Sequence, residues 1–357
     1  MGLIEVLSRA ASSRAHVLIA EAPGAFRERV ALERALDRRG WCTAESVADA
    51  DVLAVVGEPG EALADVVEHV WGQMSEPRTR FHLRDEAQMD ALLSGAEEQL
   101  CGTTRRIAEP DLRRGFTPSA DDMPHEMSGG DGDHQGHDMA GGHDHSAMMP
   151  DGIPLAEGAE DRDGLEMDEL HLPLGPVLAH WPAGLVLRVT LHGDVVVDAE
   201  VEQLAVHAGT PAAADDMTTR AARLLDAAGA VLTLAGLPSE SARARRLRDR
   251  CIDRDVTIGR DVITLGERIA RRRSLRWVLG GLTVTGSHGG VERLQDRLAA
   301  LFEQARAALD GEEPSPAIGP AALPELVRGQ ELAAVRLWVA AMMPALAVDD
   351  RGSVAHD

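Results

Sequence analysis

The sequence has 357 residues, which is enough for two domains of ordinary size, each with its own core. Hydrophobic residues make up 44% of the chain, and this proportion excludes wholesale disorder. The formal charge of −23 argues against nucleic acid or an anionic lipid surface as a partner and favours either solubility or a basic protein partner.

The N-terminus, the apolar runs and the cysteines indicate the compartment. The first residues lack the hydrophobic region of a signal peptide, and no apolar run approaches the roughly 18 residues of a transmembrane helix. Cys42, Cys101 and Cys251 are far apart and form no CxxC pair, so no disulfide framework is implied. We therefore expect a cytoplasmic protein that reaches a membrane only through partners.

Residues 1–118 are predicted to form an α/β domain. Two short apolar runs, 15–22 and 51–58, are suited to buried strands, and residues 78–85 are predicted to form a third strand. A Pro-Gly pair follows each of the two runs and precedes a helix, and another helix is predicted over 86–100. Strands that alternate with helices pair in parallel with right-handed crossovers, so we predict a short parallel, flavodoxin-like sheet.

A strand–helix segment of this domain has an unusual helix ending. It reads Ala-Asp-Val-Leu at 50–53, Val-Gly at 56–57, Val70, and Gln-Met-Ser-Glu-Pro-Arg at 73–78. These residues resemble the cluster-bearing, 20-kDa-type subunit of respiratory complex I. That family holds a four-iron, four-sulfur cluster with four thiolates, but the Cys-Cys pair, the Gly-Cys-Pro and the cysteine after 73–78 are missing here. The resemblance therefore implies a related scaffold without the cluster.

Residues 119–160 are predicted to be a disordered linker rich in His, Met, Asp and Gly, because almost nothing in it can enter a core. Five histidines lie in it among carboxylates and methionines: His125, His134, His137, His143 and His145. Imidazole with carboxylate suits nickel, zinc or copper(II), and thioether suits copper(I). The segment is either a set of weak metal sites or a flexible polar tether that binds metal only adventitiously.

Residues 161–312 are predicted to form an α+β domain, a β-hairpin followed by a helical bundle, and 313–357 a C-terminal helix and tail. Helical spacing predicts helices over 218–228, 239–251, 263–278, 291–309 and 329–343. Arg271–Arg273, with Arg276 and Trp277, form an unusual run in one of them. It is either a patch that binds an anion or a partner, or a solvated helix face paired with acids.

The hairpin itself is predicted from alternation along 185–191, where leucines and valines face one side and Val186, Arg188 and Thr190 face the other. His192-Gly193-Asp194 forms the tight turn before the second strand. Prolines and glycines over 173–184 predict an ordered but irregular lead-in.

Several hairpin residues follow a known pattern: Leu-Gly-Pro at 174–176, Pro-Ala-Gly at 182–184, Arg188, and Gly-Asp-Val-Val at 193–196. They resemble the N-terminal hairpin of the 49-kDa-type, quinone-site subunit of complex I and of the large subunit of membrane-bound nickel–iron hydrogenases. The family's quinone pocket uses a histidine where this chain has Ala183, together with a tyrosine, and the chain has no tyrosine. Its nickel site uses two CxxC pairs, which are also missing.

The two resemblances together imply a fusion of two subunits that pack against each other in the family, both without their cofactor ligands. We therefore expect an accessory, non-catalytic subunit of a complex I-like or membrane hydrogenase-like, proton-translocating assembly. Its partners would be complex I-like or hydrogenase-like subunits, including antiporter-like membrane subunits, at the cytoplasmic face of the membrane. No catalytic residue, iron–sulfur centre or nickel centre is assigned to the chain.

Two other functions remain open at this point. The chain is alternatively a metal-handling protein whose linker supplies nickel, copper or zinc to a partner enzyme. It is otherwise an oxidoreductase with an unrecognised site near the hairpin, where the candidates are His171, His180, His192 and Arg188. The identity of the partners and the packing of the two domains are not predicted.

Overall fold

The computed structural model describes residues 14–108, 157–160, 166–205, 207, 216–285, 291–312 and 319–346. Residues 14–108 form the first module, which contains β1 (His16–Glu21), α1 (Phe26–Arg39), β2 (Cys42–Thr43), β3 (Val52–Val56), α2 (Glu61–Gln73), β4 (Thr79–Leu83) and α3 (Met89–Ala108). The described residues from 157 onward form the second module.

The strands of the second module are β5 (Glu157–Glu160), β6 (Glu166–Leu174), β7 (Leu185–His192), β8 (Val195–Gln203), β9 (Thr283–Thr285) and β10 (Val291–Arg293). Its helices are α4 (Met217–Leu234), α5 (Pro238–Ile252), α6 (Gly259–Ala270), α7 (Arg273–Leu279), α8 (Leu294–Leu309), α9 (Leu323–Val327) and α10 (Leu332–Leu346).

The first module is built on a parallel sheet with the strand order β2-β1-β3-β4. Every residue of β3 is buried, as expected for a central parallel strand that is covered on both faces. The parallel α/β arrangement predicted from the alternating pattern is confirmed. The short strand β2 was not predicted, because two residues leave no periodic signal.

The second module opens with an antiparallel sheet in the order β5-β6-β7-β8. β7 and β8 form the predicted hairpin, and Gly193 in its turn has a φ of +62°. The lead-in that was expected to be irregular contains part of β6, in which Pro173 pairs with Arg188. β5 lies at the end of the range 119–160 that was predicted to be a linker.

The helices of the second module pack around α4, which contacts α5, α8 and α10. Every residue from Leu224 to Leu232 of α4 is buried, including Asp226. The helix predicted over 263–278 is divided into α6 and α7, because the backbone is extended at Arg272. None of the described helices combines the length and the apolar character that crossing a membrane requires.

The two modules share their cores. Phe26 and Val30 of α1 are buried in the core of the second module. In return, Val186 and Leu204 are buried in the core of the first module. The alternation along β7 had predicted Val186 on the polar side of the strand. It is buried because the first module covers that end of β7.

Candidate functional site

The second module contacts the first at the edge of the parallel sheet where open α/β folds bind ligands, beyond the carboxyl ends of the strands. Gly184 lies against Pro23, which follows β1, so that a Cβ at Gly184 would be 2.6 Å from Pro23 Cγ. A Cβ at Gly60, which follows β3, would be 3.0 Å from the backbone oxygen of Ala205. Segments of the chain itself therefore fill part of this edge.

A group of buried charges joins the modules and is called the ion cluster here. It consists of Glu21, Arg29 and Glu33 from the first module and Asp226, Arg248 and Asp249 from the second. Arg29 donates hydrogen bonds of 2.5 Å to Asp226 Oδ2 and to Glu33 Oε1. Arg248 Nη1 donates to the other oxygens of the same carboxylates, Glu33 Oε2 at 2.6 Å and Asp226 Oδ1 at 2.7 Å. Each of these two carboxylates therefore bridges the two guanidinium groups.

Two further carboxylates lie at the ends of the ion cluster. Glu21 Oε2 is 2.6 Å from Arg29 Nε, but that N–H is not directed at it, so the contact is an ion pair without a hydrogen bond. Arg248 Nη2 donates to Asp249 Oδ1 over 2.8 Å. The cluster therefore holds two cations and four acidic groups, of which Asp226 and Arg248 are buried and the other four are half-buried.

The pKa directions show how this charge is balanced. Burial raises the pKa of Glu33 and Asp226, but Arg29 and Arg248 outweigh it and hold the pKa of both carboxyls below its usual range. Burial prevails at Glu21 and at Asp249, whose pKa values are raised in spite of the neighbouring arginines. The two firmly ionised carboxylates therefore match the two arginines, and the other two groups are the ones that protonate more readily.

The ion cluster forms one wall of a small pocket between the modules, with a volume of about 90 Å³. Apolar side chains from both modules form much of the remaining wall: Leu18, Ile19, Leu178, Trp181, Ala230 and Met343. Trp181 is fixed there because its indole N–H donates to the backbone oxygen of Leu185 over 2.8 Å. Its lining is apolar with a few convergent polar groups, but its volume is below the roughly 300 Å³ at which sites for small-molecule ligands begin.

The polar residues of the pocket do not form a nucleophile–base pair in the part of the chain that the structure describes. The Ser241 and Thr233 hydroxyls are 2.7 Å apart and lie 2.8 and 3.1 Å from the backbone oxygen of Gly229, and neither is hydrogen-bonded to His180. Burial lowers the pKa of His180, and Arg245 adds to the effect, so the imidazole is neutral at pH 7. The pocket therefore offers binding groups, without the relay that nucleophilic catalysis needs.

A comparison with protein-family models found no match, and comparisons with curated proteins and with solved structures found none either. The role of the pocket must therefore be argued from its own residues. The resemblances to complex I subunits remain predictions from the sequence.

The structure places the four hairpin candidates in two separate regions. His180 lines the pocket between the modules and has a left-handed φ of +60°. His171 and Arg188 lie instead on the outer face of the antiparallel sheet, where His171 Nδ1 is 2.9 Å from Thr190 Oγ1 and Arg188 pairs with Glu202 at 2.9 Å. His192 lies at the turn end of β7, opposite Glu169 of β6. His171 and Arg188 therefore share one groove on that outer face, whereas His180 lies apart from them in the pocket between the modules.

The candidate metal ligands His125, His134, His137, His143 and His145 lie outside the described residues. Within the described ranges, no group of three or more His, Cys, Asp or Glu side chains is arranged to hold a metal ion. The cysteines are dispersed: Cys42 is exposed, Cys101 is half-buried and Cys251 is buried. Burial raises the pKa of Cys251 to about 12, so its thiolate is scarce at neutral pH.

The ion cluster was not predicted from the sequence, although one of its members carried a signal. Asp226 is the single charge in an apolar stretch of α4 from Leu224 to Leu234, and a lone carboxylate on such a helix needs a buried partner. Arg248 carried no such signal in the sequence, because it is one of five arginines in a short helix. Its burial depends on which face of α5 meets α1, and no local pattern reports that.

Proposed function

We propose that this chain is an accessory, non-catalytic subunit of a complex I-like or membrane hydrogenase-like, proton-translocating assembly, at the cytoplasmic face of the membrane. The observation that carries the proposal is the way the modules meet. The two modules resemble subunits that pack against each other in that family, and here they pack through exchanged core residues and the buried ion cluster.

Two further observations support it. The strand order β2-β1-β3-β4 of the first module matches the beginning of the flavodoxin-like order, which agrees with the predicted kind of scaffold. The cysteines cannot supply the family's ligand set, because there are only three and Cys251 lies in the core of the second module, apart from the others. A scaffold that keeps its interface but lacks its ligands suits a structural role.

The test is affinity purification of the full chain from native membranes, with partners identified by mass spectrometry. We expect recovery with antiporter-like membrane subunits and with cysteine-bearing subunits of the complex I type. Recovery without such partners would contradict the accessory role. A stoichiometric iron–sulfur spectrum from the purified chain would contradict its non-catalytic character.

A second candidate function is metal handling, and a sequence observation favours it. Residues 119–160 contain five histidines and ten acidic residues but no basic residue, a composition that attracts divalent cations. Deletion of residues 125–149 separates the two functions. If the chain is a structural subunit, its partners are still recovered after the deletion. If it is a metal-handling protein, the partner enzyme loses activity after the deletion, and added nickel, copper or zinc restores that activity.

A further inference from the structure

Trp277 is 90% exposed, although the chain is poor in aromatic residues. Trp41, Trp181 and Trp338 are buried, and Trp71 is half-buried with the Arg78 guanidinium 4.4 Å from its ring centre. The exposure of Trp277 is imposed by its helix. Leu275 and Leu279 of α7 are buried in the core of the second module, so the intervening side chains face outward.

The surface around Trp277 is apolar and basic, and is called the α6–α7 corner here. Its apolar members are Trp277 and Val278 on α7, the latter 51% exposed. Its basic members are Arg273 and Arg276 on α7, both exposed. Exposed apolar side chains that are bordered by charge mark an interaction surface more often than isolated ones do.

These arginines are left without acidic partners by their surroundings. The two acids between residues 259 and 281 are already paired, Asp261 with Arg250 at 2.7 Å and Glu267 with Arg271 at 2.8 Å. Arg273 and Arg276 form no ion pair with any residue that the structure describes. The corner is therefore a positive region on a chain whose formal charge is −23.

The net charge does not decide what binds at such a corner. Charges separated by more than about 8 Å are largely screened at physiological ionic strength, so a surface that approaches the corner senses mainly the local arginines. The argument from composition against an anionic lipid surface therefore applies to the whole chain and not to this region.

An indole that nothing surrounds suits a bilayer surface better than a protein groove. Tryptophan is favoured at the level of the lipid headgroups, where its ring is half in the acyl region and its N–H reaches water. Arginine binds phosphate through two parallel hydrogen bonds. By contrast, a tryptophan that anchors a protein interface is usually matched by a pocket on the partner and surrounded by residues that exclude water.

We propose that the α6–α7 corner is a contact surface for anionic phospholipid, which inserts Trp277 and Val278 among the headgroups and pairs Arg273 and Arg276 with phosphate. The proposal goes beyond the accessory role, in which partners alone bring the chain to the membrane, and it does not depend on that role.

The test is co-sedimentation of the full chain with vesicles of phosphatidylcholine alone and of phosphatidylcholine mixed with phosphatidylglycerol. We expect binding to the mixed vesicles that weakens as salt is raised, and none to the neutral ones. Arg273→Gln combined with Arg276→Gln should weaken binding about 30-fold, from the usual contribution of an arginine near an anionic surface. Trp277→Ala should weaken it about tenfold through lost apolar contact.

The matched control is the double substitution Arg84→Gln and Arg188→Gln. It removes the same charge from exposed positions elsewhere, where each arginine is paired with a glutamate. The control should bind like the wild type, and all variants should keep the wild-type circular dichroism. Equal binding to neutral vesicles, equal loss in the control, or no binding at all would overturn the proposal. If the corner variants instead reduce recovery of a protein partner while vesicles are not bound, the corner is a protein interface and the lipid proposal is wrong.

Discussion

Asp226 interrupts the apolar part of α4 and is held by an arginine from each module, Arg29 and Arg248. Burying charges is costly, and the mutual attraction in a buried cluster roughly offsets that cost. The net stabilisation is therefore small. Removal of one member is different, because it leaves an unmatched charge in a buried place. The ion cluster thus favours one relative position of the modules over others.

Substitution of Glu33 and of Glu21 by glutamine should have different effects, although both carboxylates contact Arg29. Glu33→Gln should lower the free energy of unfolding at pH 7 by about 3 kcal/mol, because two guanidinium groups lose a shared charge. Glu21→Gln should leave it unchanged or raise it, because burial already disfavours the charged form of Glu21. Urea unfolding of both variants measures the difference, and an equal loss in the two would contradict the assigned charge balance.

The pH dependence of stability follows from the same pKa directions. Glu33 and Asp226 have lowered pKa values in the folded protein. Their contribution to the free energy of unfolding is therefore complete above the pKa of about 4 that they have in the unfolded chain, and it is lost as the pH falls through the folded-state pKa. Glu21 has a raised pKa in the folded protein, so its contribution to the free energy of unfolding becomes more favourable as the pH falls through that folded-state pKa. We expect the wild type to lose stability steeply below about pH 4 and Glu33→Gln to lose less over the same range. Unfolding curves at a series of pH values check this.

At the scale of elements, the docking of the hairpin depends on a glycine. Gly184 and Gly193 both have a left-handed φ, +72° and +62°, but their surroundings differ. A Cβ at Gly184 would be 2.6 Å from Pro23 Cγ, whereas nothing lies within 4 Å of a Cβ at Gly193. The first glycine lets two backbones approach, and the second only forms a turn.

Alanine at these two positions should separate close approach from backbone strain. Gly193→Ala should cost about 1–2 kcal/mol of unfolding free energy, the usual cost of a left-handed alanine. Gly184→Ala should cost about 2 kcal/mol more, because the strand must move away from Pro23. Thermal and urea unfolding measure both. Equal costs would mean that the contact with Pro23 relaxes easily and does not position the hairpin.

At the scale of the whole molecule, the exchange of core residues makes the modules interdependent. Each core is completed by side chains from the other module, Phe26 and Val30 in one direction and Val186 and Leu204 in the other. Burial of this kind contributes about 1.5–3 kcal/mol for each large apolar side chain. The modules should therefore stay together without a covalent connection.

Cutting the chain between residues 119 and 156 tests this expectation. With a specific protease site inserted there, the two fragments should co-elute in gel filtration after cleavage. Glu33→Gln combined with Asp226→Asn should make them separate more readily, because the ion cluster is disrupted on both sides. The matched control is Asp198→Asn, which removes an exposed partner of Arg328 and should leave co-elution unchanged. Separation of the wild-type fragments would show that the linker, and not the interface, holds the modules together.

The sequence by itself determined the elements whose signals are local. The apolar run at 51–58 predicted a buried strand of a parallel sheet, and the alternation after Leu185 with the turn at Gly193 predicted the hairpin. Helical spacing predicted the bundle, although it did not show the break at Arg272. These signals are readable because strand and helix periods and turn chemistry involve residues that are close along the chain.

The tertiary structure decided which distant residues meet. Arg29 and Asp226 are 197 positions apart, and their contact depends on the faces of α1 and α4 that pack together. The same packing buries Val186 against its pattern and places His180 in the pocket, away from His171. A local pattern shows that a side chain is apolar, charged or able to titrate. Its partner is set only when the two modules dock, because burial and pairing depend on surfaces that the chain brings together in folding.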